Sequence, residues 1–225
     1  MTTTLTAPQE LQNDSVGTSI PQTINGMIGD FMANLPDPKH LTSIERRGII
    51  ARYTSVLEAN FIYWMTATYL AVQVDAARPI IIDNLTEEVR DAHPVMLRKF
   101  AIAAHAFPES MDCFAVDEDL TNMRLFLGKL SGVQSIAAMA FFEGFIQKFM
   151  PYLAELAAAQ GSSEMEYTDV HGECDIAHTA GLFNALEKEM AVNPLPPDED
   201  LFEGVILLRT LMHAIVFGRA YSIAA

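Results

Sequence analysis

The chain has 225 residues, half of them apolar, and its 29 acidic against 14 basic side chains give a formal net charge of −15. It is long enough to bury a full core as one domain, and its acidity, without any basic cluster, excludes nucleic acid and anionic membrane surfaces as partners. Two cysteines, Cys113 and Cys174, leave no disulfide framework and no zinc ribbon, which points to a reducing, cytoplasmic setting.

Residues 1–25 are rich in Thr, Gln, Ser, Asn and Pro without periodicity. Such a composition cannot bury enough surface to offset its ordering entropy, so a disordered tail is expected there, followed by a single domain over 26–225. The first cation is Lys39, so the start does not read as a signal peptide, and no apolar run reads as a membrane span. From Thr42 the pattern turns helical: a Thr42…Glu45 capping box opens a helix to about Val74, with Gly48 as a candidate kink. Pro79–Ile82 reads as a short apolar linker. A second helix starts near Asp83 or Asn84 and meets Pro94, whose ring disfavours helical geometry at His93, so a break is expected there before Val95–Ala106 continues. Further helices are expected over Glu118–Leu130, Val133–Gln160 with Pro151 as a kink or break, Tyr167–Met190, and Asp198–Ser222 after the Pro194-Leu195-Pro196-Pro197 loop. Strand alternation is nearly absent, and the sum is an all-α bundle of roughly seven helices.

His171, Asp175 and His178 stand at i, i+4 and i+7 on one of these helices, and so share a face. Two imidazoles and a carboxylate make half of a first-row transition-metal site; the other half must come from elsewhere in the chain. Glu143 lies in Ala137-Ala-Met-Ala-Phe-Phe-Glu143-Gly-Phe-Ile, a segment apolar all round, where an ionised carboxylate is costly unless paired or metal-bound. Glu58, in Val56-Leu-Glu58-Ala-Asn-Phe-Ile-Tyr-Trp, repeats that situation on the first long helix. Asn84-Leu-Thr-Glu87-Glu88 and then His93 add acids and an imidazole, at spacings that do not stack on a regular helix. If Glu88 and His93 share a metal, the backbone between them must unwind or bulge. Imidazole with carboxylate, without thiolate, suits non-haem iron or manganese better than zinc or copper.

In order and spacing these elements resemble the haem-oxygenase-like diiron oxidases, over roughly residues 45–190. That family shows a glutamate on the first core helix, an Asn-Leu-x-x-Glu…His-Pro segment, a buried glutamate, and His-x-x-x-Asp-x-x-His. The resemblance implies a haem-oxygenase-like seven-helix bundle holding two irons per chain, Fe(II)/Fe(III), with O2 as co-substrate. By it, His93, His171 and carboxylates from Glu58 and Glu88 hold one iron, Glu143, Asp175 and His178 hold the second, and Glu58 can bridge. Either Glu87 or Glu88 can be the ligand, and the Asn-Leu-x-x-Glu register favours Glu88. A homodimer and an external electron donor belong to the same implication. So does oxidative chemistry on a small molecule: C–C cleavage, N-oxygenation or desaturation of a small amine or amino acid in specialised metabolite biosynthesis, with fatty-acid oxidative decarboxylation as the nearest competitor.

Plainer readings stand beside these. The His-x-x-x-Asp-x-x-His run can be a solvated helix face, and Glu58 an ordinary ion-pair partner. Arg209, in Val205-Ile-Leu-Leu-Arg209-Thr-Leu-Met, reads as the most buried cation, either a partner for Glu143 or a clamp for a substrate carboxylate. His213, with Arg209 the candidate substrate-binding pair, and His105 read as core histidines able to line a pocket. Gly144, beside Glu143, weakens a helix interior by about 1 kcal/mol, so something needs the space. A metal-free helical cofactor-binding or scaffold protein is the reading from a different class, with Glu143 paired to Arg209 and His171 bonded to backbone as its signature. A tyrosine consumed in the reaction, Tyr63 or Tyr167, is a further one. Cys174, between Glu173 and Asp175, is no thiolate nucleophile.

Overall fold

Two long apolar helices set the frame of the molecule, which the computed structural model describes over residues 19–218, apart from the side chains of Glu173 and Cys174. In chain order the described residues form α1 (Ile20–Met32), α2 (Ser43–Ala71), α3 (Arg78–Arg90), α4 (His93–Ala103), α5 (Ser110–Phe114), α6 (Asp117–Leu127), α7 (Gly132–Ala159), α8 (Glu166–Val192) and α9 (Glu203–Phe217), with no strand among them. The all-α bundle is therefore as the sequence reads.

Helix α7 is the central element: Val133 through Ile146 are all buried, as a helix apolar on its whole circumference requires. The short link over 160–165 returns the chain as α8, which packs more extensively on α7 than any other element does. On its other sides α7 meets α2, α9 and α1. Phe141, Phe145 and Phe149 stack in succession along α7, at 6.1 and 5.1 Å between ring centres, and Phe31 of α1 meets Phe145 edge-on at 5.1 Å. Trp64 of α2 meets Phe142 edge-on at 5.2 Å. Pro151 lies inside α7 and does not end it. The carbonyl that it leaves without a donor is that of Gln147, on the half-exposed side of the helix, where water can serve it.

Helix α2 opens on the Thr42–Glu45 capping box and runs unbroken through Gly48, where a Cβ would stand 2.8 Å from the Arg52 guanidinium. Gly48 thus makes room for that side chain. Gly144 likewise serves close packing: a Cβ there would meet Ile28 of α1 at 3.2 Å and Thr179 of α8 at 3.4 Å.

Several expected boundaries are corrected. The tail expected over 1–25 overlaps α1, which begins at Ile20 with a Ser19–Gln22 capping box, Pro21 in its first turn, and Ile24, Ile28 and Phe31 buried at helical spacing; residues 1–18 lie outside the described residues. Pro79–Ile82 is no linker but the first turn of α3, because a proline at a helix start lacks only an N–H that would be unpaired anyway, and Ile81 is buried. The short helix α5 was not expected. The last helix starts at Glu203 rather than Asp198, and its expected continuation to Ser222 lies outside the described residues. No helix among the described residues is long and apolar enough to cross a membrane.

Candidate metal centre

Between α3 and α4 the chain breaks at Ala92, a left-handed residue with φ 54°. Five residues apart on a continuous helix, Glu88 and His93 would face different ways. The break instead brings His93 Nδ1 to 2.8 Å from Glu88 Oε1. From α8, His171 adds its Nε2 at 3.5 Å from the same oxygen, and the two imidazole rings meet at 4.5 Å between centres. His171 Nδ1 lies 2.8 Å from the Tyr167 carbonyl and donates to it, which leaves Nε2 as the nitrogen that faces the cluster.

One turn along α8, Asp175 and His178 face Glu143 of α7. His178 Nδ1 stands 3.8 Å from both Glu143 Oε2 and Asp175 Oδ1, while its Nε2 lies 2.8 Å from Glu87 Oε2. The acids next to each other on α3 thus divide the work: Glu88 joins the first cluster and Glu87 holds a histidine of the second.

Both groups, Glu88–His93–His171 and Glu143–Asp175–His178, have donor atoms mutually within 4.8 Å and can hold a metal ion. The fit goes beyond proximity. Donors about 2.1 Å from a shared ion stand roughly 3–4 Å apart, as His171 and Glu88 do at 3.5 Å and His178, Glu143 and Asp175 at 3.8 Å, and 3.8 Å is too long for a hydrogen bond. Glu143 Oε1 is buried with no hydrogen-bond partner among the described residues, a costly arrangement for a carboxylate unless a cation meets it. The donor set, imidazole plus carboxylate in a buried site, is that of non-haem iron.

Electrostatics follow the same division. Burial pushes the Glu88 carboxyl up, but hydrogen bonds from His171 and His93 outweigh it and leave the group below its ordinary value. For His93, burial lowers the pKa, and the Glu88 contact reverses this to a net rise. Burial also lowers that of His178, and Glu143 and Glu87 together carry it up to about 9.

Five of the six donors, all but His178, line one small cavity of about 20 Å³. Leu57 and Phe61 of α2, Pro94 and Leu97 of α4, and Phe142 and Ile146 of α7 form its apolar walls, and its remaining lining is Tyr167 and the clustered acids and histidines. Tyr167 lies over His171 at 4.3 Å and shares a 2.8 Å hydrogen bond with Tyr53. Burial raises both phenols well above their ordinary range, so both stay neutral.

Three expected site residues are not brought to the centre. Glu58 receives Nε of Arg98 at 2.6 Å, together with its Nη2, in an ion pair between α2 and α4, and belongs to neither cluster. Arg209 and His213 are exposed on α9, and line a surface groove with Asp30, Asn34 and Phe217; neither reaches the cavity. Glu143 therefore does not pair with Arg209. Of the scaffold signature only the His171 backbone bond is present, and that bond leaves Nε2 free to ligate. His105 is exposed, with φ 53°, and Tyr63 is 45% exposed, so neither lies in the core. Sequence reading missed Arg98, the orienting role of Glu87, and Glu189, a fully buried acid that accepts the backbone N–H groups of Gln73 and Val74 at 3.1 and 3.0 Å.

Comparison with known proteins agrees with this donor set. A family model described as iron-containing redox enzyme, of the haem-oxygenase type, matches residues 50–206, which include all six clustered donors. No curated protein matches the chain.

Proposed function

The chain belongs to that family of iron-containing redox enzymes, and from this premise we propose a diiron, O2-dependent oxidase or oxygenase acting on a small amine or amino acid. The observation that carries the proposal is the pair of neighbouring three-donor clusters, five of whose six donors line one cavity with apolar walls. Glu88, His93 and His171 would hold one iron, and Glu143, Asp175 and His178 the other. Iron so held supplies O2 activation and electron transfer.

The chain's own residues do the rest. The Tyr167 carbonyl fixes which nitrogen of His171 ligates, and Glu87 orients His178, as outer-shell partners of metal-bound histidines do. The apolar walls exclude water from the reacting atoms. The apolar lining matches an apolar portion of the substrate. Oxidative C–C cleavage, N-oxygenation and desaturation all fit such a substrate, in a specialised pathway, with a homodimer and an external electron donor as part of the same reading.

The test is to mix anaerobic Fe(II)-loaded protein with O2 and follow absorbance by stopped flow, with and without pools of amino acids and of amines. A coloured transient whose decay one pool accelerates supports the proposal. Oxidation of the iron at one rate whatever the pool, with every added compound recovered intact, would contradict it.

A further inference from the structure

Beside the clusters stand two buried phenols that belong to neither. Tyr53 is fully buried and Tyr167 is 4% exposed. Among the described residues their hydroxyls bond to each other, at 2.8 Å, and to nothing else. Two phenylalanines would fill the same space with no polar atom to satisfy, so packing alone does not account for the pair.

Tyr167 lines the cavity and lies over His171 of the first cluster, with 4.3 Å between ring centres. Tyr53 stands behind it at 6.2 Å. Phe149 carries the series on to Tyr152, in steps of 5.8 and 5.3 Å, and Tyr152 is half-buried. A file of rings at ordinary aromatic packing distances thus leads from a cluster histidine toward the surface of the bundle. Rings so close give an electron a short path, and a phenol can lose one when its proton has somewhere to go.

We propose that Tyr167 and Tyr53 are a one-electron relay to the iron centre, used when O2 has oxidised the iron and no substrate is there to react. Tyr167 gives an electron to the iron and its phenolic proton to water in the cavity, whose volume of about 20 Å³ holds one molecule. Tyr53 then passes a hydrogen atom along the hydrogen bond between the two oxygens. This restores Tyr167 and leaves the radical on Tyr53, one ring farther from the iron. A one-electron reductant outside the bundle, acting from Tyr152 across Phe149, reduces Tyr53, and the proton returns through the same two hydroxyls. Overall the iron gains one electron from the reductant, and neither tyrosine is consumed. The inference rests on the O2-dependent diiron reading and deepens it, by assigning the route along which an external donor reaches the centre.

Freeze-quench electron paramagnetic resonance tests this on the Fe(II)-loaded full-length chain, mixed with O2 in the absence of substrate, with iron content and ferric yield measured on each sample. A tyrosyl radical is expected in the wild type, with lines that narrow when ring-deuterated tyrosine is incorporated. It should persist in Tyr63→Phe, since that exposed tyrosine lies off the path. Tyr167→Phe keeps the ring and removes the hydroxyl, and it should lose most of the radical at an unchanged ferric yield. Tyr53→Phe should hold the radical on Tyr167, with a line shape broadened by the nearby iron and slower quenching by ascorbate. Full oxidation of the iron without a tyrosyl radical would overturn the relay. So would a radical yield that Tyr167→Phe leaves unchanged, or a line shape and quenching rate that Tyr53→Phe leaves unchanged. A chain that takes up no iron, or whose iron O2 leaves ferrous, would instead overturn the reading beneath it.

Discussion

At His178 a metal ion and a proton compete for one nitrogen. Glu87 and Glu143 hold the imidazolium, against the effect of burial, to a pKa of about 9, so the metal-free protein carries that proton at neutral pH. A raised folded-state pKa means that the contribution to stability is complete below the ordinary value of 6.5 and is lost as pH rises through about 9. A metal must displace the proton, so affinity at that site should rise with pH over the same window. Calorimetry of metal binding near neutral pH, in buffers of different ionisation enthalpy, should show on the order of one proton released at this site, and the release should vanish in His178→Ala. Heats independent of buffer would contradict it. The donors that gather at this site were legible because a buried acid in an apolar helix and an i, i+4, i+7 face are local signals. Arg209 was misread for an equally physical reason: the exposed stripe of α9 also carries Ile206 and Phe217, 49% and 48% exposed, so its apolar flanks hid an outward face. Glu189 left no local signal, because its partners lie 116 and 115 residues away.

Among elements, the α3–α4 break is the feature that makes a site out of two residues that a continuous helix would separate. Pro94 announced it in the sequence, but the left-handed residue proved to be Ala92, and His93 is the first residue of α4. A left-handed alanine stores about 1 kcal/mol, and a β-branched side chain there costs more. Ala92→Ile should destabilise the protein by roughly 1–2 kcal/mol and weaken metal binding at Glu88–His93–His171 while sparing the other cluster; metal titration of the variant checks this, and equal weakening of both clusters would contradict it. Helix α1 was obscured for the opposite reason. Its capping box and its Ile24, Ile28 and Phe31 face are local and readable, but they were averaged into the polar composition of residues 1–25. The all-α class needed no such detail, since strand alternation is nearly absent and α2, α7 and α8 are long runs of 29, 28 and 27 residues.

For the molecule as a whole, the six donors come from α3, α4, α7 and α8, so the centre ties together four helices. A ligand that binds only the folded chain stabilises it by mass action, about 4 kcal/mol per site at a thousandfold excess over Kd. Anaerobic Fe(II) should therefore raise the unfolding temperature in a concentration-dependent way, and a chelator should reverse it; an unchanged Tm would contradict a folded-state site. The element order was legible, but the cavity was not, because its lining comes from five helices, α2, α3, α4, α7 and α8, whose juxtaposition only the packed bundle defines.

The most direct measurement is the stoichiometry of anaerobic Fe(II) binding to the metal-free protein and to its His171→Ala and His178→Ala variants, with helix content followed by circular dichroism. Two separate clusters predict about two irons in the wild type and about one in each variant, at unchanged helix content, because the donors sit on helices already formed. No binding, or a stoichiometry that neither variant changes, would contradict the assignment of these clusters as the iron centre.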